Sequence, residues 1–291
     1  MFPVLLRLGP VTIYSYGLFL ALAFLLGTFV IWQESHRKDF DEEKILDFLL
    51  ISIFGAIIFG RIVFVFFNWS LFSGNLLKIF YFWEIGGINV LGLTFGALLC
   101  GILFLKKKRW PILMTYDFFV LGLLLAQIFE RVGFFLSSSG FGKSTNFFLG
   151  VQFPGEVIKR HPVALYEAFL LLPVLIILYL IYRKFQKREN YENGLIANLY
   201  LIVMGLISIG TAFLTKNMKN KENITLTLIP VGLIILSSFV VFYIRSGRNL
   251  KSDLKLFPRL FKSKKNTKKS ESGIEKLVES TKKLETNNLE R

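Results

Sequence analysis

Seven long apolar segments separated by short charged connections dominate this 291-residue chain. A helix needs about 20 mostly apolar residues to cross roughly 30 Å of lipid hydrocarbon, and each segment is close to that length. We therefore predict an all-α, polytopic membrane protein with about seven transmembrane helices. The predicted spans are Val11–Trp32, Ile45–Phe67, Ile88–Leu105, Ile112–Phe135, Val163–Tyr182, Gly194–Leu214 and Ile224–Ile244.

The composition excludes several other classes of protein. Hydrophobic residues make up 53% of the chain, and there is a single cysteine, Cys100, so neither an intrachain disulfide nor a Cys-based metal site can form. We expect no cofactor and no metal. The formal net charge of +15 could suggest nucleic acid. The charges lie in short clusters between apolar runs and in the tail, which is typical of a membrane protein, so we expect no nucleic-acid partner.

The distribution of Lys and Arg among the connections predicts the orientation of the helices. Most of these residues lie on one side, in residues 33–44, 106–109 and 183–193 and in the tail. The positive-inside rule assigns that side to the cytoplasm, which puts the N-terminus outside and the C-terminus inside. Residues 1–245 are expected to form the transmembrane domain. Residues 246–291 are expected to form a basic, disordered cytoplasmic tail.

Three charged residues fall inside predicted spans, where charge is costly and usually marks function. They are Arg61, Glu130 and Arg131. At 1.5 Å per residue both arginines lie toward the outer leaflet, and the same level is predicted for other polar side chains. This outer set adds Tyr16, Asn89, His161, Tyr166 and Glu167.

Two guanidinium groups near a headgroup plane suit a phosphate ligand, because arginine makes bidentate, always-charged contacts to phosphate. We therefore expect an anionic phospholipid held from the outer leaflet. Alternatively, each arginine only anchors a helix end by snorkelling. His161 is either an acid or base at neutral pH or a structural donor beside Pro162. Asp117 is expected to face the basic segment Lys106–Arg109.

Several short motifs resemble those of the prolipoprotein diacylglyceryl transferases of bacterial membranes, over roughly residues 11–214. The most specific is Arg160-His161-Pro162 followed by Leu165-Tyr166-Glu167, and the others gain weight from their order along the chain. Those others are Tyr14-Ser15-Tyr16-Gly17-Leu18, Gly60-Arg61, Trp83-Glu84-Ile85-Gly86-Gly87, and Asp117 and Gln127 followed by Arg131-Val132-Gly133.

The resemblance implies a transfer reaction in the bacterial inner membrane. The diacylglyceryl group of phosphatidylglycerol would move to the lipobox cysteine thiol of a prolipoprotein, and glycerol phosphate would leave. The resemblance implies that Arg131 binds phosphate and that Tyr16 is needed at the site, and we expect Arg61 to bind phosphate together with Arg131. His161 or Glu130 would move protons. Tyr166, Glu167 and Gln127 would orient the headgroup.

The chain departs from the family pattern at several positions where the family has charged or titratable residues, and Ala212 stands at one where the family has a glutamate. Leu91 replaces a histidine, Ser139 an acidic residue and Ser208 an arginine. These replacements keep a second hypothesis open, a catalytically degenerate relative that binds phospholipid or lipoprotein. A small transporter is a further alternative, but it would need polar residues along a whole path. Gly92 and Gly96 are expected to allow close approach of the third span to a neighbouring helix.

Overall fold

The computed structural model describes residues 3–9, 11–81, 84–186 and 193–215, together with residues 231, 232, 236 and 238. Within these residues six helices are long and apolar enough to cross a membrane, as predicted for the first six spans. The predicted seventh span lies almost wholly outside the described residues, and the predicted tail lies wholly outside them. The helices are α1 (Ser15–His36), α2 (Glu42–Phe67), α3 (Val90–Lys108), α4 (Ile112–Leu136), α5 (Val163–Gln186) and α6 (Leu195–Ala212).

The fold is mostly helical, but the all-α prediction was incomplete because two small antiparallel sheets accompany the helices. Strand β1 (Val4–Leu8) pairs with β2 (Val11–Tyr14), and β3 (Phe141–Ser144) pairs with β4 (Arg160–Pro162). Residues of β2 had been assigned to the first span. They are β-branched or aromatic, which suits a strand, and Gly9 at φ +59° turns the chain back onto β1.

Helices α2 and α3 pack closely because glycines remove side chains from their contact. A Cβ atom at Gly96 would lie 2.2 Å from the carbonyl oxygen of Gly55, and one at Gly92 would lie 2.5 Å from that of Phe59. The expected role of Gly92 and Gly96 is therefore confirmed. Asn89 begins α3 by accepting from the backbone N–H groups of Leu91 and Gly92, which explains why the helix starts after residue 88.

Helix α4 is central, since it contacts α1, α5 and α6. Gly27 of α1 meets Gly122 of α4 so closely that a Cβ at Gly122 would lie 2.5 Å from the Gly27 carbonyl oxygen. Phe118, Leu121 and Leu124 of α4 are fully buried in the core. These contacts place α1, α5 and α6 beside α4 and its polar residues.

Asp117 does not face Lys106–Arg109, so that interpretation was wrong. It is fully buried in α4 and accepts from the backbone N–H groups of Gly194 (2.5 Å) and Ala197 (2.9 Å). The first turn of a helix has N–H groups without helical partners, and a carboxylate placed there stabilises the helix. Asp117 thus fixes the start of α6 against α4.

A polar contact also joins α6 to the region of the predicted seventh span. Ser238 is buried, and its hydroxyl donates to the backbone oxygen of Asn198 at 3.0 Å. The Asn198 side chain donates in return to the backbone oxygen of Ser238 at 2.9 Å. This reciprocal pair satisfies buried polar groups that would otherwise be costly in an apolar setting.

Candidate functional site

An ion-pair cluster lies where α4 ends and α5 begins. Nε of Arg131 is 3.0 Å from Oε2 of Glu167 and 3.4 Å from Oε2 of Glu130. The contact forms because α5 starts beside the last turns of α4, so a residue in its second turn reaches Arg131. Two carboxylates around one guanidinium hold it in place while leaving the side chain about one-third exposed. We call this end of the helices, which includes the start of α1, the site end.

A cavity of about 410 Å³ opens beside Arg131 and Glu167, within the size range of small-molecule sites. Its wall combines apolar and polar groups, and Arg131 and Glu167 supply the charge. The wall is built by the last turn of α4, the first turns of α5, strand β3 and the residues that follow α4 and α6. The described residues that line it are Arg131, Phe134, Gly140, Phe141, Val163, Ala164, Glu167 and Thr215.

Strand β3 is fixed as a cavity wall from two sides. Arg160 of β4 lies with its guanidinium 5.4 Å from the ring centre of Phe141, and its Nη2 is 2.7 Å from Oε2 of Glu156. On the other side the backbone N–H of Lys143 donates to the carbonyl oxygen of Leu214 at 2.8 Å. The second contact ties β3 to the chain just after α6, which brings Thr215 to the cavity.

Tyr16 and Gln127 both lie close to this cavity without lining it. The Tyr16 ring is 5.9 Å from that of Phe134, a cavity residue. Gln127 stands one helical turn before Arg131, and its side chain donates to the Tyr200 hydroxyl at 2.8 Å. That contact links α4 to α6 one helical turn from the ion-pair cluster.

His161 and Tyr166 form a pair of their own. The His161 Nδ1 atom lies 3.3 Å from the Tyr166 hydroxyl, and the His161 ring is 6.4 Å from the ring of Phe147. Both residues flank Val163, Ala164 and Glu167, which line the cavity. The pair is therefore near the cavity wall, but no described contact joins it to Arg131.

Arg61 is placed differently from Arg131. It is 4% exposed, and its guanidinium donates to the carbonyl oxygens of four residues in the connection between α2 and α3. Its charge also lies 5.3 Å from the ring centre of Phe72. The four acceptors are Lys78 (3.1 Å), Ile79 (2.9 Å), Ile85 (2.8 Å) and Gly87 (3.2 Å).

Leu91, Ser139 and Ser208, which depart from the family pattern, do not line the described part of the cavity. Leu91 is half-exposed in the first turn of α3. Ser139 lies in the turn after α4, where its backbone N–H donates to the carbonyl of Phe134. Ser208 lies within α6, and its carbonyl accepts a long contact from Thr211.

The sequence interpretation found the charged residues of this region and missed much of its wall. Phe134, Phe141 and Thr215 carry no chemical signal of their own, because an apolar or small residue lines a cavity only through tertiary packing. Arg160 was noted only as part of a motif. Its ring contact to Phe141 requires the pairing of β3 with β4, which the sequence did not predict.

Comparison with known proteins gives consistent relatives, all described as phosphatidylglycerol–prolipoprotein diacylglyceryl transferases of bacteria. The protein of Clostridioides difficile is 33% identical, over 72% of this chain and 81% of its own length. That of Halalkalibacterium halodurans is 28% identical, over 91% and 95%. That of Trichormus variabilis is 31% identical, over 70% and 75%.

The sequence pattern of one family covers nearly the whole chain. It matches residues 3–249, which include all six helices described here. Proteins of this family are integral to the bacterial inner membrane, in agreement with six helices of membrane-spanning length. The chain therefore belongs to the prolipoprotein diacylglyceryl transferase family.

Proposed function

We propose that this protein transfers the diacylglyceryl group of phosphatidylglycerol to the lipobox cysteine thiol of prolipoproteins, a step of lipoprotein maturation. Membership of the family and the names of its relatives support this assignment. The observation that carries it in the structure is a partly exposed arginine, Arg131, in the wall of a cavity that apolar residues of α4, β3 and α5 also line. Such a site accommodates the anionic headgroup of a phospholipid whose acyl chains stay in the membrane.

The proposed chemistry is a substitution at the glyceryl carbon of the lipid. The cysteine thiol loses its proton, and the sulfur forms a bond to that carbon. The bond between the carbon and the phosphate oxygen breaks, its electron pair leaves with the oxygen, and glycerol phosphate departs. Negative charge therefore grows on the phosphate, and the fixed cation of Arg131 lowers the barrier where it does so.

The neighbouring residues take supporting roles in this proposal. Glu167 holds Arg131 from the side of α5. Gln127 contacts α6 one turn before Arg131, and Tyr16 packs near Phe134 one turn after it. His161, oriented by Tyr166, or Glu130 accepts the thiol proton. The thiolate is the nucleophile, so removal of that proton is a requirement of the reaction.

Arg61 remains predicted as a second phosphate ligand, but its surroundings favour another role. Its guanidinium is buried, and it already donates to four carbonyl oxygens. We propose that Arg61 braces the connection between α2 and α3. In this arrangement Arg131 is the cation among the described residues that line the cavity.

The proposal also includes the orientation of the chain in the membrane and its division into a transmembrane domain and a tail. The charge distribution puts the N-terminus and the site end outside, with the C-terminus in the cytoplasm. Residues 1–245 would form the seven-helix domain and residues 246–291 a basic cytoplasmic tail. The site then faces the leaflet from which secreted prolipoproteins present their lipobox cysteine.

The alternative of a non-catalytic binding module rests on Leu91, Ser139 and Ser208. These residues lack the titratable or charged groups of the family pattern. The comparisons do not favour this alternative, because the relatives are described as transferases. The two hypotheses differ in turnover and agree in lipid binding, so an assay of product separates them.

Complementation tests the proposal in cells. A bacterial strain depleted of its own transferase should grow when it expresses this protein and should fail to grow with Arg131→Ala. The control is Gly210→Ala, because a Cβ at Gly210 meets no described atom within 4 Å. Equal growth with wild type and Arg131→Ala, at matched membrane levels, would remove Arg131 from the proposed mechanism.

A further inference from the structure

A patch of exposed apolar side chains lies on the connection between β3 and β4, outside every membrane-spanning helix. Its most exposed members are Val157 (92%) and Phe148 (80%). Exposure of this degree is ordinary on a lipid-facing helix and unusual on a connection that faces water. The loop patch consists of Phe147, Phe148, Leu149, Val157 and Ile158.

The patch lies within reach of the membrane surface. Helix α5 has 24 residues, about 36 Å, against roughly 30 Å of hydrocarbon, so its first turn lies at headgroup level. Ile158 precedes the first residue of α5 by five positions, which an extended chain spans in at most about 17 Å. The connection also bends back, since Val151 bridges to Arg160. The loop therefore cannot extend far from the bilayer.

The charges around the patch favour an anionic surface. Lys143 lies on β3 and Lys159 lies immediately before β4, and both residues are exposed. Glu156, the acidic residue of this connection, is paired with Arg160 at 2.7 Å. The flanks of the patch thus present a net positive charge. Apolar and aromatic side chains bordered by lysines are typical of segments that lie in a membrane interface.

The patch is also rigidly connected to the cavity. Phe153, in the middle of the connection, is 2% exposed, and its ring lies 5.3 Å from that of Phe141 and 6.1 Å from that of Phe135. Phe141 lines the cavity. One side of the connection is therefore anchored on the cavity wall, while the other presents the loop patch outward.

We propose that the loop patch inserts into the anionic lipid leaflet at the site end, with Lys143 and Lys159 contacting phosphate groups of that surface. The insertion sets the depth of β3 and so holds the cavity opening at headgroup level. This inference concerns a lipid surface beside the cavity and does not depend on transfer activity. A second copy of the chain or an apolar segment of a prolipoprotein would be competing occupants.

Site-specific fluorescence tests the proposal. Cys100, the single cysteine, is replaced by alanine, and an environment-sensitive fluorophore is attached to Phe148→Cys in the full chain. The protein is placed in nanodiscs of phosphatidylglycerol and phosphatidylcholine. Nitroxide-labelled lipid should quench this fluorophore several-fold more than aqueous iodide does. A matched label at Ser144→Cys, exposed on β3 and outside the patch, should show the opposite preference.

A second variant tests the lysines. With Lys143→Gln and Lys159→Gln together, quenching of the Phe148→Cys label by lipid nitroxide should fall in the same nanodiscs. Quenching of the Phe148→Cys label by iodide alone would overturn the proposal. The proposal would also be overturned if the Phe148→Cys label were protected from iodide only at high protein density, or only after addition of a lipobox peptide with its apolar segment. In either case the patch would be covered by protein rather than by lipid.

Discussion

Substitution of Arg61 distinguishes its proposed structural role from the predicted role of a phosphate ligand. In the structure its guanidinium makes four hydrogen bonds to carbonyl oxygens of residues 78–87. Arg61→Met removes these bonds and keeps an unbranched apolar side chain of similar length. Arg61→Lys keeps the charge but replaces a planar fork of five donors by a single ammonium group.

The expected magnitude follows from the number of bonds. A hydrogen bond to a charged group contributes about 1.5–3 kcal/mol, so four give an upper bound of about 6–12 kcal/mol. The carbonyls belong to a surface connection and regain water after the substitution, which returns much of that energy. We therefore expect Arg61→Met to lower the free energy of unfolding by about 3–5 kcal/mol, below that upper bound. Arg61→Lys should lose about half as much.

The assay is equilibrium unfolding in mixed micelles, combined with binding of phosphatidylglycerol to the folded protein. Arg131→Met is the matched control, because its guanidinium is about one-third exposed and lines the cavity. It should weaken lipid binding with little change in unfolding. If Arg61→Met weakens lipid binding and leaves the free energy of unfolding unchanged, Arg61 is a ligand and the bracing role is wrong.

Three further predictions concern other parts of the molecule. Glu167→Gln should lower kcat of transfer about tenfold, equivalent to about 1.4 kcal/mol, at an unchanged unfolding midpoint, because it loosens the guanidinium in the cavity; equal kcat would refute this. Gly96→Ala should destabilise by about 1–3 kcal/mol in unfolding experiments, because its Cβ meets backbone, whereas Gly210→Ala, with open space, should not. The Lys44 side chain holds the pKa of Asp41 below its ordinary value. The charged Asp41 carboxylate therefore stabilises the folded protein at neutral pH, and this contribution is lost as the pH falls through the lowered pKa. The midpoint difference between wild type and Asp41→Asn should shrink in that acid range, and a constant difference would contradict it.

The helical part of the fold could be predicted because bilayer thickness sets the length of each apolar run. The strands could not, since Val11–Tyr14 is as apolar as the helix that follows and merges with it in the sequence. Asp117 was misplaced for a related reason. Its partners are backbone groups at the start of α6, and no sequence pattern marks a backbone partner 77 residues away.

The sequence predicted the depth of the site residues in the membrane but not the direction in which their side chains point. A rise of 1.5 Å per residue put Arg61, Arg131 and Glu167 near one level, and the ion pair between Arg131 and Glu167 agrees with this. Depth does not determine which way a side chain points around its helix. Arg61 turns toward the connection that follows α2, and this could be known only from where the fold places the carbonyl oxygens that it contacts, such as those of Ile79 and Ile85.

The opposite end of the helices holds a polar cluster that the sequence interpretation overlooked. Glu34 is 1% exposed and paired with Arg37, and the Lys38 ammonium lies 6.0 Å from the ring centre of Tyr182. Residues 33–44 had been assigned to a connection on the cytoplasmic side. Helix α1 instead continues to His36, which brings these charged groups between α1 and α5.

Intact-mass analysis of a lipobox peptide tests the central claim most directly. The purified protein is incubated with phosphatidylglycerol and the peptide, and the Clostridioides difficile relative serves as the positive control. We predict a peptide heavier by one diacylglyceryl group on its cysteine, together with free glycerol phosphate, and neither product with Arg131→Ala. An unmodified peptide, under conditions in which the relative modifies it and this protein binds the lipid, would contradict the proposed transfer.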